Sequence, residues 1–273
     1  MGQVDYLVIG HITDDYTPDG MTIGGSVAYA GRTAQALGCR TAVVTSSQVR
    51  DDLATVLPSI AVQHVPAPHT TAFTNRYEGI HREQWLHAVA APLRAEHVPE
   101  AWRRSAIVHL APVAAEVDVE MMALFSNSLI GLTPQGWMRQ WDEGGRVRGT
   151  RWEQAETAFP LAAAVILSDE DLPDESYLEV CRQYARLLVM TQGPAGCTVF
   201  FGDDARSFEA PAAPVRDLTG AGDVFAAAFL VRLYQTRGNP WEAAVFANEV
   251  AAASVTQVGL AAKIAHIEAM LQP

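Results

Sequence analysis

The sequence predicts an α/β fold: a doubly wound, mostly parallel sheet covered by helices on both faces, with a small β-sheet standing off it. Three observations carry this expectation. Short continuous apolar runs at 7–9, 41–45, 107–110, 129–132, 163–167 and 187–191 mostly alternate with segments of helical period, as strands buried on both faces do. The stretch 62–90 breaks that rhythm with Thr- and aromatic-rich, strand-like residues. Of the 273 residues 49% are hydrophobic, enough for one large core, and the length favours one domain with an appendage over two equal domains.

In chain order, Leu7-Val8-Ile9-Gly10 reads as a central strand ending in glycine, with the polar segment His11 to Asp19 beyond it. Ligands of open α/β sheets bind past the carboxyl ends of strands, which puts Asp14 and Asp15 where a substrate would be met. Turn chemistry alone is the other account of them. Thr17-Pro18-Asp19-Gly20 is a turn, and Met21-Thr22-Ile23 a short returning strand. Val27, Ala30, Ala34 and Leu37 space a helix from Ser26, its expected cap, to Gly38, its stop. Gly24-Gly25 would let a ligand approach the backbone closely at that helix start.

A strand at 41–45 and a short helix near 51–57 follow. His69 to Tyr77, Gly79 and His81 to Val89 then make hairpin material that, with 21–23, forms the small sheet. A lid and a dimer contact are its two readings. Next come a strand at 107–110, a helix at 117–125, a strand at 129–132 and the loop Thr133-Pro134-Gln135-Gly136. Arg139 is the notable cation after it, read either as a ligand or as a solvated or paired side chain. Residues 142–146 form a tight polar turn. The strands at 163–167 and 187–191 end in Ser168-Asp169-Glu170-Asp171 and Gln192-Gly193-Pro194-Ala195-Gly196. Residues 198–201 read as an antiparallel strand leading to an Ala- and Pro-rich loop at 209–214. Helices are expected at 241 to about 256 and at 264–271.

Asp217-Leu218-Thr219-Gly220-Ala221-Gly222-Asp223 runs directly into the apolar helical segment 224–230. A glycine turn opening a helix leaves backbone N–H groups without intrahelical partners, a site for a phosphate or a developing oxyanion. Carboxylates are repelled by phosphates, so Asp223 among such amides suggests a base that takes the proton of an attacking hydroxyl. An acid favoured by the helix dipole is the other reading.

Acidic residues outnumber basic ones, 31 to 19, for a net charge of −12, and no basic run tracks a nucleic-acid backbone, so neither nucleic acid nor anionic membrane is expected as a partner. An anionic cofactor would then be held by local devices such as helix N-termini. Cys39, Cys181 and Cys197 have no metal or disulfide spacing and read as small core residues in a reducing compartment. The chain opens on a strand-like run, and no apolar stretch suits a bilayer span, so a cytoplasmic location is expected. No G-x-x-x-x-G-K-[ST] and no strand-linked G-x-G-x-x-G occur, against P-loop kinases and NAD dehydrogenases, and the eight histidines have no zinc spacing.

With these residues in place, the chain resembles, nearly end to end, the ribokinase-like sugar kinases, also called the PfkB carbohydrate kinases. Asp217 to Asp223 looks like their C-terminal signature. The resemblance implies one ribokinase-like kinase domain over 1–273, with lid segments at about 12–23 and 64–90, that phosphorylates an alcohol using ATP and Mg2+. It implies Asp223 as base, and the amides of Gly220, Ala221, Gly222 and Asp223 as anion hole. Gly24-Gly25 resembles the glycine pair bordering the substrate. Asp15 matches the acid that holds substrate hydroxyls, with Asp14 as the register alternative. Thr191-Gln192-Gly193-Pro194-Ala195-Gly196 resembles the nucleotide-contacting T-x-G-x-x-G, so Thr191, Gly193 and Gly196 face the nucleotide, and Asn248 matches a position near the adenine.

The departures bear on substrate and ions. Tyr29 stands where ribokinases have a sugar-binding Asn, which argues against ribose. Ser168-Asp169-Glu170-Asp171 stands for an N-x-x-E motif, leaving Asp171 an indirect, water-mediated link to magnesium. Leu218 replaces a common Thr beside the monovalent-cation loop, which leaves potassium activation open. Gln135-Gly136, Arg139 and Trp141-Asp142-Glu143-Gly144-Gly145 are similar to a segment of myo-inositol kinases in this family, which also tend to carry an aromatic at the place of Tyr29. A cyclic polyol is therefore the expected substrate. A nucleoside kinase and a kinase-like sugar or nucleotide sensor with weak turnover are the alternatives, and the oligomer is expected to be a monomer or a lid-mediated homodimer.

Overall fold

The computed structural model describes residues 3–17, 20–78 and 81–272. The strands are β1 (Tyr6–Ile9), β2 (Thr13–Thr17), β3 (Gly20–Gly24), β4 (Thr41–Ser47), β5 (Ala61–Pro66), β6 (Thr71–Glu78), β7 (His81–Ala88), β8 (Ile107–Leu110), β9 (Leu129–Leu132), β10 (Arg139–Trp141), β11 (Val147–Gly149), β12 (Ala164–Ser168), β13 (Leu187–Thr191), β14 (Cys197–Phe201) and β15 (Asp204–Phe208). The helices are α1 (Ser26–Ala36), α2 (Leu53–Val56), α3 (Ala155–Ala158), α4 (Glu175–Tyr184), α5 (Ala221–Gln235), α6 (Pro240–Ser254) and α7 (Leu260–Met270).

A nine-stranded sheet runs in the order β15-β14-β13-β12-β9-β8-β1-β4-β5. Neighbours from β5 to β13 are parallel, and β14 and β15 turn antiparallel at one edge. From β1 the chain builds outward to β4 and β5, then returns to β8 on the other side of β1 and builds the opposite way. That reversal opens a crevice at the carboxyl ends of β1 and β8, where ligands of such sheets bind. The fully buried Tyr6–Ile9 and Ile107–Leu110 explain why both strands read as unbroken apolar runs.

The crevice is held together by one acid. Glu116, 4% exposed, accepts from His11 N–H at 2.9 Å, Val113 N–H at 3.0 Å and Ala114 N–H at 2.7 Å. Its carboxylate thus joins the chain leaving β1 to the chain leaving β8, and satisfies donors that the reversal leaves without a ladder.

The second sheet has the order β3-β2-β6-β7. Its β2–β3 and β6–β7 pairs are antiparallel and its β2–β6 pair parallel. It leaves the large sheet directly after β1, as the short returning strand and the hairpin led us to expect. Ala61–Pro66 pairs with β4 in the large sheet, so of the segment 64–90 the small sheet takes only 71–78 and 81–88. Pro18 and Asp19 of the expected turn, and Gly79, lie outside the described residues.

Two cores flank the large sheet. One packs α1, α5, α6 and α7 against Tyr6, Val8 and Ile166; the other packs α4 and shorter turns against Leu7, Ile9 and Leu188. Every residue of α5 from Val224 to Val231 is buried, which is why the segment is apolar all round instead of amphipathic. Leu230 docks into the space left by Gly131, where a Cβ would sit 2.4 Å from its methyls.

Several elements differ from expectation. The cap of α1 is Gly25, at φ 91°, and Ser26 is already helical. Residues 119–125 form a 3₁₀ helix capped by Asp118, and the helix expected near 51–57 is the single turn α2. The antiparallel β14 is present as expected and continues into β15, which the loop-like composition at 202–208 concealed. The helix α4, with Asp174 as its cap, was also not anticipated.

A buried polar chain crosses the sheet beneath α5. Tyr6 Oη lies 2.7 Å from His109 Nδ1, and His109 Nε2 lies 3.0 Å from Thr133 Oγ1. Burial pushes the His109 imidazole down to about 3. Burial also raises the Tyr6 phenol well above its usual value, with Cys39 and Asp223 adding to the shift. The neutral ring carries one donor and one acceptor nitrogen, and the hydroxyls of Tyr6 and Thr133 can complement either tautomer. An unfolded histidine titrates near 6.5, so on acidification from there toward about 3 only the unfolded chain takes up this proton, and the stability present above about 6.5 is lost. Between pH 7.5 and 5.5 the wild type is expected to lose about 1.4 kcal/mol more unfolding free energy than His109→Gln. Urea melts of both proteins at the two pH values check this, and equal losses would refute it.

Candidate active site

The turn 217–223 is shaped by three contacts. Gly220 adopts the left-handed conformation, φ 74°, and caps α5; a Cβ there would fall 2.2 Å from the ring of Tyr29, so both backbone and packing require glycine. Asp217 folds the turn on itself: its Oδ1 accepts from Thr219 N–H at 2.9 Å and its Oδ2 from Gly259 N–H at 3.0 Å. Lys263, on α7 and 0% exposed, donates from Nζ to Asp217 O at 2.6 Å and Thr219 O at 2.9 Å, with Asp217 Oδ2 at 3.3 Å.

These contacts set the polarity of the turn. In a trans peptide the C=O and the following N–H point opposite ways, so anchoring Thr219 O on Lys263 turns Gly220 N–H away from α7. The first bond of α5 within its ladder is Val224 N–H to Gly220 O, so the amides ahead of it lie at the open, positive end of the helix. A Cβ on Gly222 would meet nothing within 4 Å. Ala221 N–H is spent on Leu218 O at 3.1 Å, which weakens its place among the expected anion-binding amides. Asp223, half-buried in the first turn of α5, projects from this same end.

Burial pushes the Lys263 ammonium below the ordinary lysine value, opposed by the charge and hydrogen bonding of Asp217. Burial also acts to raise Asp217, but donation from Gly259 and Thr219 and the nearby Lys263 outweigh it, and its carboxyl stays below the usual range.

On the other wall, α1 connects this turn to Asp15. Tyr29, 3% exposed, lies one helical turn from Gly25, about 6 Å along the axis, and its ring covers Gly220. A Cβ on Gly24 would fall 2.3 Å from Asp15 Oδ2, and one on Gly25 2.3 Å from His11 O. The glycine pair thus admits the chain's own backbone and the Asp15 carboxylate, a closer explanation than access for a ligand. Asp15 also accepts from Thr13 Oγ1 at 3.1 Å. Asp14, on the opposite face of β2, pairs with Arg50 at 2.9 Å and lines a recess of about 390 Å³ with Met21 and Thr70. The register alternative therefore divides: Asp15 turns toward α1, and Asp14 belongs to the Arg50–Asp52 cluster.

Asp15 stands in register with Phe73 of β6, and the Arg139 guanidinium lies over that ring, 6.0 Å from its centroid, while Nη1 donates to Val113 O at 3.2 Å. Arg139 therefore spans from the small sheet to the loop after β8. Gln135 and Asp171 meet: Gln135 Nε2 donates to Asp171 Oδ1 at 3.0 Å, and Ser168 N–H to Asp171 Oδ2 at 3.1 Å. Gly136, whose Cβ would collide with the backbone of Pro112 and Val113, locks this loop against β8. Each Asp171 oxygen retains a lone pair able to accept from a metal-bound water, which fits an indirect role toward magnesium.

At the other end of the sheet, Gln192 N–H closes the loop 192–196 onto Gly196 O at 2.8 Å. Gly193, φ 53°, faces open space, whereas Gly196, φ 95°, packs against Phe208 O. Thr191 Oγ1 lies 3.4 Å from Leu167 O. Asn248 is 4% exposed and donates to Phe208 O at 3.0 Å, so its amide pins the 208–210 segment beside Gly196. Val215, Leu218 and Val258 stand exposed on the two loops that Asp217 joins.

Sequence reasoning missed Glu116 and Lys263. Glu116 carried no local signal, since its partners are backbone groups from two segments. Lys263 carried one: it is the only lysine among 19 basic residues, set in an Ala- and Ile-rich helix.

Comparison with known proteins places this geometry. The model of the pfkB family carbohydrate kinases matches residues 161–266. Inositol 3-kinase of Oryza sativa subsp. japonica is 30% identical over 95% of this chain and 70% of its own. A pyrophosphate-dependent kinase in the ribokinase family, solved with a pyrophosphate analog and myo-inositol, has a TM-score of 0.82 at 22% identity, covering 97% of this chain and 99% of that one. A fructokinase double mutant from Vibrio cholerae, solved with fructose, ADP and potassium ion, has a TM-score of 0.75 at 17% identity, covering all of both chains. With the match over 161–266 and a relative 30% identical over 95% of this chain, the chain belongs to the pfkB family of carbohydrate kinases.

Proposed function

We propose that this kinase transfers the γ-phosphoryl group of ATP to a hydroxyl of a cyclic polyol resembling myo-inositol. The observation that carries the reading is the turn itself: a carbonyl-anchored glycine loop opens a buried helix, with Asp223 in its first turn. Asp223 takes the proton of the attacking hydroxyl. The amides of Gly220 to Asp223 and the positive end of α5 stabilise charge on the phosphoryl group as it moves. Ala221, whose N–H is shared with Leu218 O, contributes least. Asp171 would help hold magnesium through a bridging water, and the ion, when bound, would neutralise charge on the donor phosphates.

Asp15 and Arg139, both beside Phe73, hold the polyol, an acid for hydroxyl donors and a guanidinium for hydroxyl acceptors. The pairing of Gln135 with Asp171 couples the polyol side to the phosphate side. Tyr29 acts from behind, keeping Gly220 in place. The small sheet serves as a lid that excludes water from the phosphoryl group. The inositol 3-kinase relative and the fold neighbour bound to myo-inositol support a polyol over a nucleoside. The adenine lies against Val215, Leu218 and Val258, beside the loop 192–196 and the segment that Asn248 pins, and the enzyme works in the cytoplasm.

A coupled ADP-release assay with magnesium over polyols, sugars and nucleosides tests the reading. Turnover is expected with myo-inositol or a close isomer, and saturable ligand binding without ADP release anywhere in the panel would make the protein a sensor. Asp223→Asn is expected to fold normally and lose roughly 10²–10⁴ in kcat; near-normal turnover by that variant would sink the base assignment. Asp15→Asn is expected to raise KM for the polyol at least about tenfold, the size of a lost hydrogen bond to a charged group, while Asp14→Asn leaves KM near the wild-type value. The reverse ranking would return the role to Asp14. Leu218→Asp is expected to weaken ATP as donor. If the variant instead matches the wild type, and the wild type turns over faster with pyrophosphate, the donor carries no base.

A further inference from the structure

The resemblance to sugar kinases leaves a monovalent cation open at the loop beside Leu218, and the residues there give that ion no room. The carbonyls of Asp217 and Thr219 and the carboxylate of Asp217 converge on one point, and Lys263 Nζ occupies it at 2.6, 2.9 and 3.3 Å. An ammonium has three protons, and here three oxygens from two residues meet it. Its side chain is 0% exposed. Two main-chain carbonyls and a carboxylate are also the hard oxygen donors an alkali cation would take.

The choice of residue points the same way. Every other basic side chain among the 19 is arginine. A guanidinium is a planar fork suited to carboxylates and phosphates, whereas an ammonium is a compact point charge that can sit among converging carbonyls as an ion does. The only lysine stands where that difference matters.

We propose that Lys263 is a built-in monovalent cation: its ammonium replaces a dissociable ion behind the anion-binding turn, fixes the Thr219 carbonyl so that the Gly220 amide faces the phosphoryl group, and frees the enzyme from potassium. Lys263 is a positioning residue, since it acts on the phosphoryl group only through the turn. The catalytic part of this inference rests on the kinase reading above; the cation replacement does not.

The test compares the wild type and Lys263→Met in choline, sodium, potassium and ammonium chloride at equal ionic strength. Thermal unfolding midpoints are read without substrate, and initial rates with ATP, magnesium and myo-inositol. The wild type is expected to show the same midpoint and rate in potassium as in choline. Lys263→Met is expected to lose roughly 10²-fold in kcat in choline, comparable to the loss of one oxyanion donor, and to regain both midpoint and rate in potassium or ammonium. That rescue separates a cation role from simple packing, because a cavity left by lost methylenes does not respond to potassium. Stimulation or thermal stabilisation of the wild type by potassium would overturn the inference, as would a folded variant indifferent to every monovalent cation. Should Lys263→Met fail to fold, the wild-type comparison decides alone, with potassium independence expected. The melting curves report on the cation even if no polyol is turned over, so failure of the kinase reading stays distinguishable.

Discussion

The structure depends on how one short turn is held at the mouth of one buried helix. Helix α5 is apolar on all sides because it lies between the sheet and the helices α1 and α6. Its N-terminus therefore cannot drift without disturbing the core. The turn ahead of it is fixed from behind by Lys263, from within by Asp217 and from the side by Tyr29 on Gly220. A trans peptide leaves no choice once its carbonyl is anchored: the next amide points the other way. The direction of the amides at the mouth of α5 is thus set by the fold itself.

The rest of the fold is built around the strands β1 and β8. Reversal of strand order at β1 and β8 opens the crevice, and the Glu116 carboxylate ties its two edges through three backbone N–H groups. The small sheet springs from β1 and carries Asp15, while Arg139 reaches back from its side of the crevice to Val113 and Phe73. A movement of the small sheet would carry Asp15 and Phe73 with it.

Much of this was legible in the sequence because it is written in local patterns. Unbroken apolar runs identified the central strands, the Thr-rich interruption identified the small sheet, and the glycine turn followed by an apolar stretch identified the start of the buried helix α5. What was not legible depends on partners distant in sequence. The Lys263 ammonium meets carbonyls 44 and 46 residues away, and Glu116 meets His11 N–H across 105. The assignment of Asp15 over Asp14 to the α1 side follows from strand alternation, which no composition of the segment 11–19 could show. β15 escaped notice because its residues are mostly exposed and pair only at the sheet edge.

In the proposed reaction the turn 217–223 receives the phosphoryl group while Asp223 receives the proton. A crystal structure with ADP, magnesium, aluminium fluoride and myo-inositol tests it most directly. The fluoroaluminate is expected within hydrogen-bond distance of the Gly220 and Gly222 amides, with one inositol hydroxyl in line and its oxygen against Asp223. A fluoroaluminate bound away from this turn, or an inositol whose nearest carboxylate is not Asp223, would contradict it.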